Sequence, residues 1–292
     1  MASRGRLWPI PRRAWQLMSA LLANSYWPGF ASGTIYQGAG KNVCVPFLNC
    51  YSCPGAVGSC PVGSFQFFLA GPGQTVSLYV LGTVTGVGAL VGRLVCGWLC
   101  PFGLLQEVMA RPCARRVKLP GILLTLKYAV LVLTVSLPVL AIGAYGTASP
   151  YFCKYLCPAG TLEAGVLLAL GNPAIRGMLG SLFLFKLAIL VLLLILMVFV
   201  YRPFCRTVCP LGAFYSFFNA FSLWRLEWDH GRCTGCHSCR SACPLGLAVD
   251  RTPNHPECIR CLDCTRVCPS GALQFTSGIK REESVVFGRD VR

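Results

Sequence analysis

Cysteine is the residue type whose spacing in this chain most directly predicts chemistry. Two runs, at residues 233–244 and 258–269, each contain four cysteines with two, two and three residues between them and end in proline. Three thiolates on one tight loop can ligate three irons of a 4Fe–4S cube, and the fourth cysteine of each run ligates the other cluster. Zinc, the alternative, usually takes separated pairs of cysteines. The runs predict two 4Fe–4S clusters, cluster 1 on Cys233, Cys236, Cys239 and Cys268 and cluster 2 on Cys258, Cys261, Cys264 and Cys243.

A second motif, Cys-Pro-x-Gly, occurs four times along the chain, at Cys60, Cys100, Cys157 and Cys209. In three of these copies another cysteine precedes the motif by four residues, at Cys96, Cys153 and Cys205. The same 109 residues separate Cys96 from Cys205 and Cys100 from Cys209. This spacing predicts a tandem duplication, and repeats of this kind usually place their sites at the interface between the two halves.

The copies at Cys100 and Cys209 predict a further cluster. Cysteines four residues apart on a helical turn point the same way, and proline directly after the second favours the first turn of a new helix. The positive end of that helix stabilises an anionic cluster. We predict an inner membrane-face 4Fe–4S cluster on Cys96, Cys100, Cys205 and Cys209. The alternative is that these cysteines only pack as apolar residues, as buried cysteines often do.

The remaining membrane-face cysteines offer six candidates for the four places of an outer cluster. We predict that Cys53, Cys60, Cys153 and Cys157 hold it, with Cys44 and Cys50 as substitutes. Structural disulfides are the alternative for this set, because the outer side of a membrane is oxidising. Cys113 lies in a basic loop and is expected to be a free thiol without a role.

The composition indicates which elements position these cysteines. Of the 292 residues, 54% are hydrophobic and 12% charged, whereas soluble domains carry about 25% charged residues. Apolar stretches near the ~20 residues that a membrane span needs occur at 14–36, 75–95, 121–145 and 181–200. We predict a mostly α chain, a polytopic four-helix transmembrane pseudo-repeat followed by a small α+β bacterial-type two-cluster ferredoxin module. The predicted domains are 1–222, which spans the membrane and binds clusters, 223–276, the ferredoxin domain, and 277–292, a C-terminal tail.

The formal charge of +16 is distributed as membrane proteins distribute it. Lys and Arg flank the apolar stretches instead of alternating with polar residues, so nucleic-acid binding is not predicted. Excess Lys and Arg mark the cytoplasmic side, which predicts a multi-pass protein of a bacterial or archaeal cytoplasmic membrane with both termini in the cytoplasm. Arg12 and Arg13 resemble a twin-arginine signal, but no convincing cleavage site follows, so a retained basic anchor is expected.

Residue types that the chain lacks in the predicted spans restrict its chemistry. The three histidines, His230, His237 and His255, all lie in the predicted ferredoxin domain, so no predicted span offers histidine ligands for haem. No Gly-x-Gly-x-x-Gly motif predicts a dinucleotide site, and no catalytic residue is predicted. Electrons must therefore pass between clusters that approach the middle of the membrane, or through a bound quinone. The intramembrane Lys127 and Lys186 are either functional or extend toward an interface.

Together these motifs resemble the NapH/MauN-type membrane ferredoxins, and the resemblance covers nearly the whole chain. Related polyferredoxins include NosR-type proteins and the CcoG-type copper reductase. The resemblance implies an integral-membrane electron-transfer subunit in contact with the lipid bilayer and with other oxidoreductase subunits. Its electrons would pass between cytoplasmic clusters and an outer-face cluster, a quinone pool or an extracytoplasmic oxidoreductase. The dense outer group that includes Cys44 and Cys50 departs from the nitrate-linked members, so the pathway is not predicted.

Two other functions compete with this one. A membrane reductase or assembly factor for copper would be expected to have methionine-rich stretches, and the chain has only 5 methionines. A membrane redox sensor would need a sensor domain, for which the 292 residues leave no room. An electron-transfer subunit is therefore favoured over an enzyme with its own catalytic residues.

Overall fold

The computed structural model describes residues 11–71, 76–111, 119–145 and 149–278, without the side chains of 142–145. Cys113, the basic residues before 11 and all but the first two residues of the predicted tail lie outside these ranges. The α-helices are α1 (Arg12–Ala23), α2 (Pro28–Ser32), α3 (Pro61–Ala70), α4 (Leu78–Val91), α5 (Leu94–Trp98), α6 (Pro101–Met109), α7 (Gly121–Tyr145), α8 (Pro158–Gly160), α9 (Leu167–Gly171), α10 (Pro173–Gly177), α11 (Ser181–Phe199), α12 (Pro203–Thr207), α13 (Pro210–Phe218), α14 (Ser238–Ser241) and α15 (Asp263–Val267). A 3₁₀ turn covers Ala39–Asn42, and π-helical segments cover Phe152–Leu156 and Thr161–Val166.

Two helices in the described ranges are long and apolar enough to cross a membrane, and both are largely exposed. They are Gly121–Ala141, within α7, and Ser181–Phe199, which is α11. In their apolar 18-residue stretches only 22% and 17%, respectively, is buried in the protein. The chain is mostly helical, but the prediction of a four-helix transmembrane pseudo-repeat is wrong, because the stretches at 14–36 and 75–95 do not form continuous spanning helices.

Local backbone chemistry explains why these two stretches are short. Helix α4 ends at Val91 because Gly92 adopts a left-handed φ of +52°, where a Cβ would lie 2.6 Å from Asn219 Oδ1. Helix α1 ends at Ala23, and the chain turns through Asn24. At 1.5 Å per residue the 14 residues of α4 and the 12 of α1 extend about 21 and 18 Å, short of the ~30 Å hydrocarbon core.

The C-terminal part contains two antiparallel strands, β1 (Trp224–Trp228) and β2 (Leu273–Ser277), paired from Trp224 with Ser277 to Trp228 with Leu273. The two cysteine runs and the short helices α14 and α15 lie between these strands along the chain. The strands thus bring the two ends of the 224–277 segment together. The predicted domain boundaries are not tested by the fold and remain predictions.

Candidate iron–sulfur sites

All four Cys-Pro-x-Gly motifs form the same helix start. In each, the cysteine is the N-cap and the proline is the first helical residue, as the sequence predicts. In two of them the glycine N–H donates to the cysteine sulfur, at 3.4 Å for Gly160 to Cys157 Sγ and 3.3 Å for Gly212 to Cys209 Sγ. There the sulfur satisfies a backbone donor that a serine or aspartate side chain usually satisfies. The N-caps Cys60 and Cys100 accept no such side-chain cap hydrogen bond.

The glycines of the two inner motifs also allow close packing. A Cβ on Gly103 would lie 2.9 Å from Cys96 O, and one on Gly212 would lie 3.0 Å from Cys205 O. Either contact would push the two cysteines of a pair apart. Glycine at the last position of these two motifs is therefore explained by the close approach of the carbonyl of the preceding cysteine as well as by the helix start.

The four inner cysteines, Cys96, Cys100, Cys205 and Cys209, lie buried in one packed core. Burial, followed by the negative charge of neighbouring thiolates of this set, raises the pKa of Cys100 and Cys209. Gln106 Nε2 donates to Cys205 Sγ at 2.9 Å. None of the 18 described cysteines forms a disulfide, and no three His, Cys, Asp or Glu side chains in the described ranges are grouped closely enough for a single metal ion. In a 4Fe–4S cluster each cysteine instead ligates its own iron.

Two buried ion-pair groups surround the inner cysteines. Glu107 receives hydrogen bonds from Arg12 (2.5 and 2.8 Å), Arg202 (2.5 Å) and Tyr201 (2.8 Å). Although burial opposes ionisation, Arg202 and Arg12 hold the pKa of Glu107 below its ordinary value. The sequence does not mark Glu107 as an ion-pair partner of these arginines, because they lie about 95 residues away along the chain.

The second group is centred on Glu257, next to Cys258. Lys127 from α7 pairs with its carboxylate, Arg93 lies 3.4 Å from it and Arg206 lies 4.0 Å from it. Lys127 is fully buried against Glu257, so it joins α7 to the C-terminal part. A partner 130 residues distant carries no signal in the sequence.

These two groups contain more positive than negative charge. Five cations, Arg12, Arg93, Lys127, Arg202 and Arg206, face two carboxylates, Glu107 and Glu257. Buried charge without a partner is costly, and the buried Arg202 Nε also has no hydrogen-bond acceptor among the described residues. A cluster carried by four thiolates is anionic, so the residues of the inner site fit such a group.

One pocket contains three of the four cysteines predicted for the outer cluster and one of the two predicted substitutes. The pocket on this side is lined by Cys50, Cys60, Cys153 and Cys157, and Cys53 is not among its lining residues. A Cβ on Gly160 would lie 3.4 Å from Cys50 Sγ and 3.7 Å from Cys157 Sγ. The structure therefore brings Cys50, and not Cys53, to the three other predicted cysteines. Nine residues separate Cys50 from the next Cys-Pro-x-Gly cysteine instead of three, so no i,i+4 signal marked it.

The other outer cysteines have separate surroundings. Cys53 is buried near Lys41, whose Nζ donates to Tyr51 O at 2.6 Å. Cys44 is buried, and its backbone forms an isolated β-bridge with that of Ser59. Beside the pocket, Glu163 accepts a hydrogen bond from Cys50 N at 2.8 Å, and burial raises its pKa to about 7. Lys186 donates to Cys153 O at 3.1 Å, so this lysine of α11 holds the backbone of a predicted ligand.

One buried side chain lies between the inner and outer sites. Tyr215 is fully buried in the core that contains both sets, and its hydroxyl donates to Pro46 O at 2.9 Å. Burial, and then the thiolates of Cys96, Cys44, Cys100 and Cys60 in that order, raise its pKa. The two sites therefore approach each other inside one core.

The C-terminal cysteines form two groups. One pocket is lined by Cys233, Cys236, Cys239 and Cys268, which form the set predicted for cluster 1. His237 and Gly235, between these cysteines, adopt φ values of +53° and +68° and so curve the loop around the pocket. Cys236 is exposed and Cys233 and Cys268 are half-buried.

The set predicted for cluster 2 is more deeply buried. Cys258, Cys261 and Cys264 are buried, and Cys243 packs against them. Arg260 and Leu262 adopt φ values of +52° and +65°, and Arg260 N donates to Cys258 Sγ at 3.4 Å. Positive φ is costly for residues with a side chain, and both runs adopt it on each side of their second cysteine, Cys236 in the first run and Cys261 in the second.

Comparison with known proteins supports the same chemistry. A family model described as a 4Fe-4S binding domain matches residues 73–120, 130–171 and 182–228, and a second 4Fe-4S binding domain matches 224–245. The protein MJ0750 of Methanocaldococcus jannaschii, itself uncharacterised, is 31% identical over 227 residues, which cover 74% of this chain and 85% of that protein.

Relatives with more informative names match a shorter region. The methylamine utilization ferredoxin-type protein MauN of Methylobacillus flagellatus is 30% identical over 56% of this chain and 54% of its own. The ferredoxin-type protein NapH of Haemophilus influenzae is 28% identical over 57% of this chain and 52% of its own. No solved structure matches the chain.

Proposed function

Because the chain belongs to the family of NapH/MauN-type ferredoxins, we propose that it is a membrane-bound iron–sulfur protein whose four cysteine sets form one electron-transfer chain. Cluster 1 and cluster 2 would be held by the two C-terminal sets, an inner cluster by Cys96, Cys100, Cys205 and Cys209, and an outer cluster by Cys50, Cys60, Cys153 and Cys157. When bound, each 4Fe–4S cluster would act as a one-electron carrier.

The observation that carries the proposal is the burial of the two membrane-face sets in one core. Six of the eight thiols belong to its buried residues, namely Cys60, Cys157 and the four inner cysteines, Cys153 packs against it partly buried, and Cys50 is not among its residues. Tyr215 is fully buried in the same core and donates to Pro46 O. Burial in one core supports transfer of electrons between the two sets.

The two exposed apolar helices support a location in a membrane. Helix α11 and the apolar part of α7 present faces that only lipid or another apolar surface would cover, as shown by the exposed Leu133, Leu140, Leu184 and Leu192. With these two helices crossing, the Cys153–Cys157 segment lies on the opposite side from Cys205 and Cys209. The Arg202 and Arg206 end is then the cytoplasmic side.

An apolar cavity of about 350 Å³ supports a quinone as an exchange partner. Helices α3, α4, α7 and α13 line it, and its lining includes Pro61, directly after Cys60, and Pro210, directly after Cys209. The polar side chains of Gln66 and Thr134 also line it. Ligand sites are commonly apolar pockets with a few polar groups. A small apolar redox carrier in this cavity would contact the helix starts of both membrane-face sites.

The remaining partners are proposed from the relatives. Their names describe ferredoxin-type proteins and a methylamine utilization protein, and these support an oxidoreductase complex as the setting in which this chain works. It then acts as a subunit that conducts electrons, without catalytic residues of its own.

Transfer across vesicles tests the proposal. The holoprotein is reconstituted into sealed phospholipid vesicles that contain ferricyanide, and dithionite is added outside. We expect the enclosed ferricyanide to be reduced only in vesicles that contain the protein. Replacing the inner ligand in Cys209→Ala should abolish this transfer while the C-terminal clusters keep their absorbance. Equal rates for Cys209→Ala and the unaltered protein would contradict a path through the inner site.

A further inference from the structure

The two C-terminal cysteine runs have unequal surroundings, although their spacing is identical. In the first run, residues 229–237 are exposed apart from the half-buried Cys233, and Cys236 is itself exposed. In the second run, Cys258, Cys261 and Cys264 are all buried. A repeat whose two copies were equivalent would bury both to the same extent, so the rest of the chain distinguishes them.

The second run is buried because it packs on the inner cysteine loop. Gly97 follows Cys96, and a Cβ at Gly97 would lie 2.3 Å from Ile259 O, the carbonyl of the residue after Cys258. The next residue, Trp98, donates from Nε1 to Arg260 O at 3.0 Å. The backbone next to one inner ligand therefore contacts the backbone next to one ligand of cluster 2.

Further hydrogen bonds hold this contact in place. Asn219 Nδ2 donates to Cys258 O at 2.8 Å, and Arg93 Nη1 donates to Pro256 O at 2.7 Å. The same Arg93 donates from Nη2 to Cys205 O at 2.9 Å. One guanidinium thus joins the segment before Cys258 to an inner ligand. Arg93 is fully buried, and breaking such a network is costly.

We infer that the two runs have different roles: the second run is the junction with the inner site, and the exposed loop 229–237 is where a water-soluble one-electron carrier protein docks. This inference rests on the proposed function and adds the order of its sites. Between the runs one electron moves from the reduced to the oxidised cluster. No bond forms or breaks and no proton is needed.

The exposed loop suits a transient partner. Its single acidic side chain, Asp229, is paired with Arg232 at 3.2 Å, and both are more than half exposed. His230 and His237 are also exposed. A carrier protein that covers this loop brings its own centre to the edge of the cluster 1 pocket, at Cys236.

The first test measures how close each cluster lies to water. The anaerobic holoprotein in detergent is reduced, and the electron-spin relaxation of each cluster is followed as a dysprosium chelate is added to the buffer. Cys236→Ser and Cys261→Ser variants identify the signals of clusters 1 and 2. We expect the chelate to accelerate the relaxation of cluster 1 several-fold more than that of cluster 2. Equal acceleration, or a greater effect on cluster 2, would overturn the inference.

The second test loosens the junction. Gly97→Ala places a Cβ against the Ile259 carbonyl, whereas Gly82→Ala, the matched control in α4, meets nothing within 4 Å. We expect Gly97→Ala to weaken the magnetic interaction between the inner cluster and cluster 2 and to slow electron equilibration between them. Gly82→Ala should change neither. Unchanged interaction in a Gly97→Ala protein with full iron content would overturn the assigned junction.

Iron analysis separates this inference from the proposed function. If the unaltered protein lacks the inner cluster, the proposed function fails, and no junction exists to test. If every cluster is present but the dysprosium effect is reversed, the chain of clusters stands and only its order is wrong. Trp98→Phe, which removes the bond to Arg260 O without adding volume, should show a smaller effect in the same direction as Gly97→Ala.

Discussion

Arg93 and Arg202 exchange partners between the two copies of the inner motif. Arg93 precedes Cys96 by three residues but binds Cys205, and Arg202 precedes Cys205 by three residues but binds Cys96. Arg202 Nη1 donates to Cys96 O at 2.5 Å, and Arg93 Nη2 donates to Cys205 O at 2.9 Å. Both guanidinium groups are fully buried. The exchange joins the two copies of the inner motif and places positive charge beside the thiols of each copy.

We predict that this charge raises the reduction potential of the inner cluster, because a nearby cation in a medium of low dielectric constant favours the added electron. Arg202→Gln should lower the midpoint potential of that cluster, and Arg202→Lys, which keeps the charge, should lower it less. The potentials of clusters 1 and 2 should not change. Redox titration followed by electron paramagnetic resonance measures all three. Equal shifts for the two variants would show that the charge is not the cause.

Glu107 should be important for stability. Glu107→Gln leaves the buried Arg202 and the nearly buried Arg12 without their carboxylate, and breaking a buried ion pair costs roughly 3–5 kcal/mol. The more exposed Glu227→Gln, whose pair with Arg225 is 3.8 Å long, should cost less than about 1 kcal/mol. Denaturant unfolding in detergent compares the two, and a similar small loss for both would contradict this account of Glu107.

The pH dependence of that contribution has a definite sign. The folded-state pKa of Glu107 lies below its ordinary value, so the carboxylate stabilises the fold above its unfolded pKa of about 4.3. The contribution is lost as the pH falls through the folded-state pKa. Below pH ~4 the free energy of unfolding should therefore fall less in Glu107→Gln than in the unaltered protein. An unchanged acid profile in the variant would contradict the assigned ion pairs.

The outer site makes a prediction that distinguishes two neighbouring cysteines. Cys50 lines the pocket with Cys60, Cys153 and Cys157, and Cys53 does not. Cys50→Ser should therefore remove the iron of one cluster, whereas Cys53→Ser should retain it. Iron and sulfide analysis of the two purified variants decides this. Loss of iron in Cys53→Ser alone would restore the ligand set expected from the sequence.

Removing iron should destabilise the protein by more than the loss of the metal bonds alone. Without the anionic inner cluster, the five cations around it face only Glu107 and Glu257, and uncompensated buried charge is costly. Chelation of iron under anaerobic conditions should lower the thermal unfolding temperature. High salt should reverse part of this decrease. Identical unfolding temperatures with and without iron would contradict this charge balance.

The sequence was most informative where the chemistry depends on local spacing. The runs beginning at Cys233 and Cys258 and the proline-led helix starts after Cys100 and Cys209 depend on residues within a few positions of each other. The structure brings these cysteines into groups. Their ligation of clusters remains a prediction.

Long-range relationships could not be predicted in this way. Lys127 meets Glu257 from a distance of 130 residues, and Cys50 reaches Cys157 only because the chain folds back on itself. The prediction of four spanning helices is wrong for a related reason. Hydropathy sums apolar residues over a window, whereas the positive φ of Gly92 ends α4 inside that window.

The content of iron and sulfide in the anaerobically purified chain tests the central claim most directly. Four sets of four cysteines predict four 4Fe–4S clusters, which amount to sixteen irons and sixteen sulfides per chain. Spectra of the reduced protein should then show more interacting centres than the two C-terminal sets can supply. A value near eight irons, with the membrane-face cysteines free to react with thiol reagents after unfolding, would contradict the account and leave only clusters 1 and 2.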